Sequence, residues 1–150
     1  MADWNEEWSH WAQHCFPGLR LSGFTLTSRE SDEYNCIAWA ASDTTRWWWP
    51  SPDAYWPKEV PLTETVASFV AAFQTLGFQP CGFIETLEEG FEKVAIYASV
   101  DGRPTHMARQ TENGSWTSKL GEGCDIEHHS LGGVEGTVYG RAVQMLKRAR

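Results

Sequence analysis

The chain has 150 residues with 12 Lys+Arg against 20 Asp+Glu, a net charge of −8 and an isoelectric point near 5.0. Without clustered Lys and Arg it lacks what a phosphate backbone requires, so no nucleic-acid partner is expected. No apolar run approaches membrane-spanning length, so no membrane role is expected, and the length suits one domain over residues 1–150.

The N-terminal stretch Met1-Ala2-Asp3-Trp4-Asn5-Glu6-Glu7 has no basic n-region and no apolar h-region. The expectation is a soluble chain in the cytoplasm, or one exported without a signal peptide by a dedicated secretion machine. Cys15, Cys36, Cys81 and Cys124 are widely spaced with no CxxC. Free thiols are expected, with no disulfide framework, metal or cofactor. Nine tryptophans exceed what one small core holds, which predicts that some line a cleft or a contact surface.

Trp4, Trp8 and Trp11 recur at helical spacing and predict a short helix over roughly residues 3–14, docked through its indoles. Phe16-Pro17-Gly18 breaks it. Leu19 to Thr27 alternates weakly, and the polar run Ser28 to Asp32 reads as a loop delivering the chain to Cys36. The stretch Glu33 to Ala41 places that cysteine ahead of a small, apolar, helix-forming run. A thiol at a helix start is favoured as thiolate by the helix dipole, and first-turn N–H groups can receive an oxyanion.

Arg46-Trp47-Trp48-Trp49-Pro50-Ser51-Pro52 through Tyr55-Trp56-Pro57 forms an aromatic loop that prolines keep irregular. Two readings stand side by side: Trp47, Trp48, Trp49, Tyr55 and Trp56 wall a substrate cleft, or the rings fold back over the core. Val66, Phe69, Val70, Phe73 and Leu76 keep the helical period, with Thr63 as N-cap and Gly77 just past the end. A short strand is placed near Cys81-Gly82-Phe83-Ile84. Phe91–Ala98, Thr105–Gln110 and Trp116–Leu120 then predict an antiparallel meander, the last two joined at Asn113-Gly114. Val134 to Arg150 keeps an apolar helical face at Val134, Val138, Ala142, Val143 and Leu146. A final helix is expected there, its basic end Lys147, Arg148 and Arg150 complementing the helix dipole.

Two residues carry chemistry in this pattern: Cys36 at a helix start, and His106 on the middle strand of the meander. The blocks YNCIAWA (34–40), THMARQ (105–110), NGSWTSKLG (113–121) and DIEH (125–128) resemble papain-like cysteine hydrolases of the small bacterial NlpC/P60 and CHAP type. More narrowly, they resemble a bacterial domain family of uncharacterised activity that carries the same blocks.

The broader resemblance implies an α+β papain-like fold. His106 would take the Cys36 proton, and a thioester intermediate would form on a peptide or protein substrate. Tyr34 or Asn35 would assist at the oxyanion, and Ser118 or Asp125 would orient His106. Peptide cleavage, deamidation, cell-wall amide cleavage, and toxin or defence roles are all open within that chemistry. The alternative is a non-catalytic module contacting a protein partner through the Trp-rich loop 46–57. Cys124, His128 and His129 fit no zinc spacing.

Overall fold

The computed structural model describes residues 4–150. In chain order the elements are α1 (Trp4–Cys15), α2 (Gly18–Ser22), β1 (Phe24–Leu26), α3 (Cys36–Ala40), α4 (Val66–Gln74), β2 (Gln79–Cys81), β3 (Phe91–Ala98), β4 (Pro104–Gln110), β5 (Trp116–Lys119), β6 (Asp125–His128), a 3-10 turn (Leu131–Val134) and β7 (Arg141–Ala149). The seven strands form one sheet in the order β1-β6-β5-β4-β3-β7-β2. Every pairing in it is antiparallel. The molecule is therefore a mixed α+β fold built on an antiparallel sheet.

The predicted meander is β3, β4 and β5, and the predicted first helix is α1. Residue 3, where that helix was expected to start, and the N-terminal Met1-Ala2-Asp3 lie outside the described residues. The helix predicted near 63–76 is α4, and Thr65, not Thr63, caps it by accepting from the Ser68 N–H at 3.1 Å. Thr63 hydrogen-bonds instead to the Thr65 hydroxyl at 3.2 Å. Between Leu19 and Thr27 the weak alternation resolves into α2 and then β1.

The expected C-terminal helix is corrected: residues 141–149 are strand β7, paired with β3 on one side and β2 on the other. Gly136 and Gly140 both have positive φ and pair with each other across a tight hairpin, which a helix through Val138 would forbid. At Gly140 a Cβ would lie 2.0 Å from the Ala98 carbonyl oxygen, so the close approach to β3 requires glycine. A central strand is buried on both faces, and here adjacent Met145 and Leu146 enter opposite cores. That masks the period-2 signal that would have identified a strand. The basic end does not cap a helix. Lys147 meets Glu88 at 2.7 Å, Arg148 pairs with Glu92, and Arg150 reaches Glu92 and Glu112 at 3.8 Å.

Two cores flank the sheet. On one face α3 and α4 pack Ile37, Ala38, Phe69 and Phe73 onto Val94, Ile96, Met107 and Leu146. On the other, Ala12, Phe16 and Leu19 cover Ala95, Tyr97, Ala108, Trp116 and Ile126. Successive residues of β3 and β4 thus serve different cores, as the pleat dictates. Where β4 begins, Tyr97 pairs with His106 and Ala98 with Pro104, so Thr105 is an extra residue at a bulge. Bulges of this kind re-aim the neighbouring side chain. Here the neighbour is His106.

Candidate active site

Asn35 fixes where Cys36 stands. Its backbone is extended, and its Oδ1 accepts from the Ala38 N–H at 3.1 Å, the N-cap geometry that starts α3 at Cys36. The same oxygen accepts from the Trp48 N–H at 3.1 Å while Nδ2 donates to the Trp48 carbonyl at 2.7 Å. One carboxamide therefore ties the helix start to the tryptophan loop. That is a positioning task, and it replaces the expected role of Asn35 as an oxyanion donor.

Cys36 is packed in the α3–α4 core and lines a cavity of about 460 Å³ together with Asn35, Trp47, Trp49, Thr105 and Tyr139. Burial pushes its thiol up to about 11, against the opposing pull of the N–H groups of Met107, Cys36 and Ile37. The sulfur rests as a thiol beside the β4 backbone at the residue next to His106. Of the aromatic residues in the tryptophan loop, Trp47 and Trp49 reach this cavity.

The others are corrected. Trp48 and Trp56 are buried in the core at 3% and 8% exposure. Tyr55 packs against Trp48 and lies beneath the Arg46 guanidinium. The loop is thus part cavity wall and part core cap, with Trp48 Nε1 donating to Asp43 at 2.9 Å.

His106 is fully buried. Tyr139 stacks on its ring at 4.0 Å and 6°, and Tyr97 meets it edge-on at 5.1 Å. Its Nε2 lies 2.9 Å from Ser118 Oγ, and that hydroxyl lies 2.7 Å from His128 Nε2. The far nitrogen of His128, Nδ1, is 2.8 Å from the Ser130 carbonyl.

The direction of this chain follows from its end. A carbonyl only accepts, so His128 Nδ1 carries a proton, and burial holds that imidazole at about 4, neutral near pH 7. His128 Nε2 therefore accepts from the Ser118 hydroxyl, whose oxygen is left to accept from His106 Nε2–H. His106 is also held well below its ordinary value, by burial and then by His128. Its remaining nitrogen, Nδ1, is consequently an unprotonated lone pair. That atom is buried and has no hydrogen-bond partner among the described residues. Cys36 Sγ accordingly makes no hydrogen bond to His106 in this resting arrangement.

Of the two residues expected to orient the histidine, Ser118 touches the His106 ring. Asp125 does not. Its Oδ2 accepts from Tyr34 Oη at 2.7 Å, and its backbone N–H donates to Ser28 Oγ at 3.0 Å. It stands opposite Lys119 in the β5–β6 register, whereas Ser118 stands opposite Ile126. Alternation thus points Asp125 away from the Ser118 face. Tyr34, expected near the oxyanion, is committed to Asp125, and its phenol is raised by burial, then by that carboxylate, to about 12.

Two residues were missed. His128 completes the relay, and with both its nitrogens occupied by Ser118 and Ser130 it is not free to ligate a metal. The Gly121-Glu122-Gly123 turn, read as a hairpin, would have set Ser118 against Ile126 and brought His128 diagonally beside it. Lys119 is fully buried, its ammonium donating to the carbonyls of Ser31, Gly121 and Gly123 at 2.6–2.7 Å. It ties the loop leading to Cys36 to the turn that borders the Cys36 cavity.

Among the described residues no helix is long and apolar enough to cross a membrane. No curated protein and no solved structure matches the chain. A family model described as a domain of unknown function, DUF7689, matches residues 25–147, a span that takes in Cys36, His106, Ser118 and His128, and the chain belongs to that family.

Proposed function

We propose that the chain is a cysteine hydrolase or acyltransferase of papain-like type, acting on an amide or other acyl bond of a peptide or protein with Cys36 as nucleophile and His106 as base. One arrangement carries the reading: the relay from the Ser130 carbonyl through His128 and Ser118 leaves His106 with a bare, unpartnered Nδ1. A buried polar atom without a partner is uncommon and calls for a reason. Service as a base is that reason here, because a bond already made to Nδ1 would have to be broken first.

Both groups rest neutral, unlike a preformed thiolate–imidazolium pair. The thiol proton passes to Nδ1 as sulfur attacks the carbonyl, so charge develops only in the transition state. The imidazolium then gives that proton to the leaving group as its bond to the acyl carbon breaks, leaving a thioester on Cys36. Water, or another nucleophile, then attacks the thioester carbonyl and gives its own proton to His106 Nδ1, which passes it to the sulfur as the C–S bond breaks. Contact between Sγ and Nδ1 completes on substrate binding, as catalytic hydrogen bonds often tighten only in the complex.

Acylation by a small activated ester tests this. Cys15 and Cys81 are half-buried thiols in the same chain and serve as internal references. Mass spectrometry of each cysteine peptide is expected to show Cys36 acylated faster than either, and slowed to their level in His106→Ala. Equal labelling of the three, or a Cys36 rate indifferent to His106→Ala, would remove the catalytic reading.

A further inference from the structure

A second and larger hollow, about 790 Å³, lies between α1 and the hairpin at Gly136–Gly140. Gly121 and Tyr139 line both this groove and the Cys36 cavity, so the two adjoin. The groove carries an unbroken series of rings. Trp8 meets Trp11 at 5.1 Å, Trp11 meets Phe16 at 6.3 Å, Phe16 stacks on Tyr139 at 4.9 Å, and Tyr139 stacks on His106 at 4.0 Å. Trp11 and Val138 stand 40% and 49% exposed at its sides, an apolar surface that folding alone does not require.

Two carboxylates border the same groove. Glu7 and Glu122 are both exposed and line it. Neither forms an ion pair among the described residues, whereas Glu88 and Glu92 on the far side are each paired with lysine or arginine. An aromatic floor with unpaired acidic edges selects a ligand that offers a large apolar group and a cation together.

The geometry points to this groove as the specificity cleft of the Cys36 centre, binding peptide with a bulky apolar side chain adjacent to Lys or Arg. The inference rests on the proposed acyl chemistry for its purpose but on the groove alone for its ligand. The apolar side chain lies on Trp8 and Trp11, the cation meets Glu7 and Glu122, and the backbone passes Tyr139 toward the sulfur. The α1 wall precedes the residues matched by the family, which begin at 25.

The test uses the full chain carrying Cys36→Ala, so that binding is read without turnover. Three probes are titrated by intrinsic tryptophan fluorescence: acetyl-Ala-Phe-Lys-Ala-amide, its Phe-Glu counterpart and its Ala-Lys counterpart. The Phe-Lys peptide is expected to bind at least about tenfold tighter than either of the others, a gap of about 1.4 kcal/mol. Trp11→Ala changes an exposed residue and is expected to erase the preference for Phe over Ala. Glu7→Gln with Glu122→Gln is expected to erase the preference for Lys over Glu. No binding of the Phe-Lys peptide, equal binding of all three, or preferences that survive these substitutions would overturn the proposal. The acylation experiment separates the two ideas. Cys36 acylation without peptide preference removes the groove and keeps the chemistry, and peptide preference without acylation keeps a peptide site and removes the chemistry.

Discussion

On the α3–α4 side of the sheet, Phe69, Phe73, Trp48, Trp56 and Phe78 fill space with rings that meet at 5.1–6.0 Å. On the opposite side, beneath α1 and α2, the apolar core is interrupted by a chain of polar atoms: His106, Ser118, His128 and the Ser130 carbonyl. The first side derives its stability from removing apolar surface from water, which is insensitive to pH. The second buries two imidazoles that must both stay neutral, which makes that side specific in its hydrogen bonding and vulnerable to acid. Cys36 belongs to the first side and His106 to the second. The two sides adjoin where β4 begins: Thr105, next to His106 in the chain, and Tyr139, stacked on its ring, both line the Cys36 cavity.

Breaking the apolar side gives the largest effect. Phe73 is fully buried beneath Trp48 and Phe78. Phe73→Ala is expected to cost about 3–5 kcal/mol in denaturant unfolding, with the pH dependence of stability left as in the unsubstituted protein.

Acid breaks the polar side selectively. The unfolded chain protonates an ordinary histidine near 6.5, while the folded one holds His128 at about 4 and His106 well below its usual value. The stabilising contribution is complete above about pH 6.5 and is lost as pH falls toward 4, because there the unfolded state binds more protons. For His128 the loss amounts to about 3 kcal/mol. His128→Gln is expected to flatten that slope in an unfolding series between pH 7 and 4, and an unchanged slope would show that His128 is not buried neutral.

Ser118→Ala sharpens the comparison at smaller cost. It strands a buried donor on His106 and a buried acceptor on His128, a loss of about 1–3 kcal/mol. Because the hydroxyl also sets the tautomer of His106, the same substitution is expected to slow Cys36 acylation while leaving Cys15 and Cys81 unaffected. Loss of stability with unchanged Cys36 acylation would make the relay structural only.

Much of the first side was legible in the sequence, and less of the second. The apolar period of Val66, Phe69, Val70 and Phe73 identifies α4, the β-branched and aromatic content of Phe91–Ala98 identifies β3, and Asn35-Cys36 marks the start of α3 because cap and helix formers are local signals. Ser118 was reached by resemblance, twelve residues after His106. His128 was not, because its partners lie on a neighbouring strand and only the β5–β6 register reveals them. Strand β7 was misread as helix because Met145 and Leu146 are both buried, on opposite faces, which removes the alternation on which strand recognition depends. The tryptophan loop divides residue by residue: nothing in Trp47-Trp48-Trp49 distinguishes the middle ring, which the backbone hydrogen bonds to Asn35 turn into the core.

The tautomer of His106 tests the central claim most directly. Long-range proton–nitrogen NMR of the histidine rings, near pH 7, reads which nitrogen of each carries the proton. The relay predicts His106 neutral with the proton on Nε2 and Nδ1 bare, and His128 neutral with the proton on Nδ1. A proton on His106 Nδ1, or a charged His106, would contradict the account, because the atom meant to receive the Cys36 proton would already hold one.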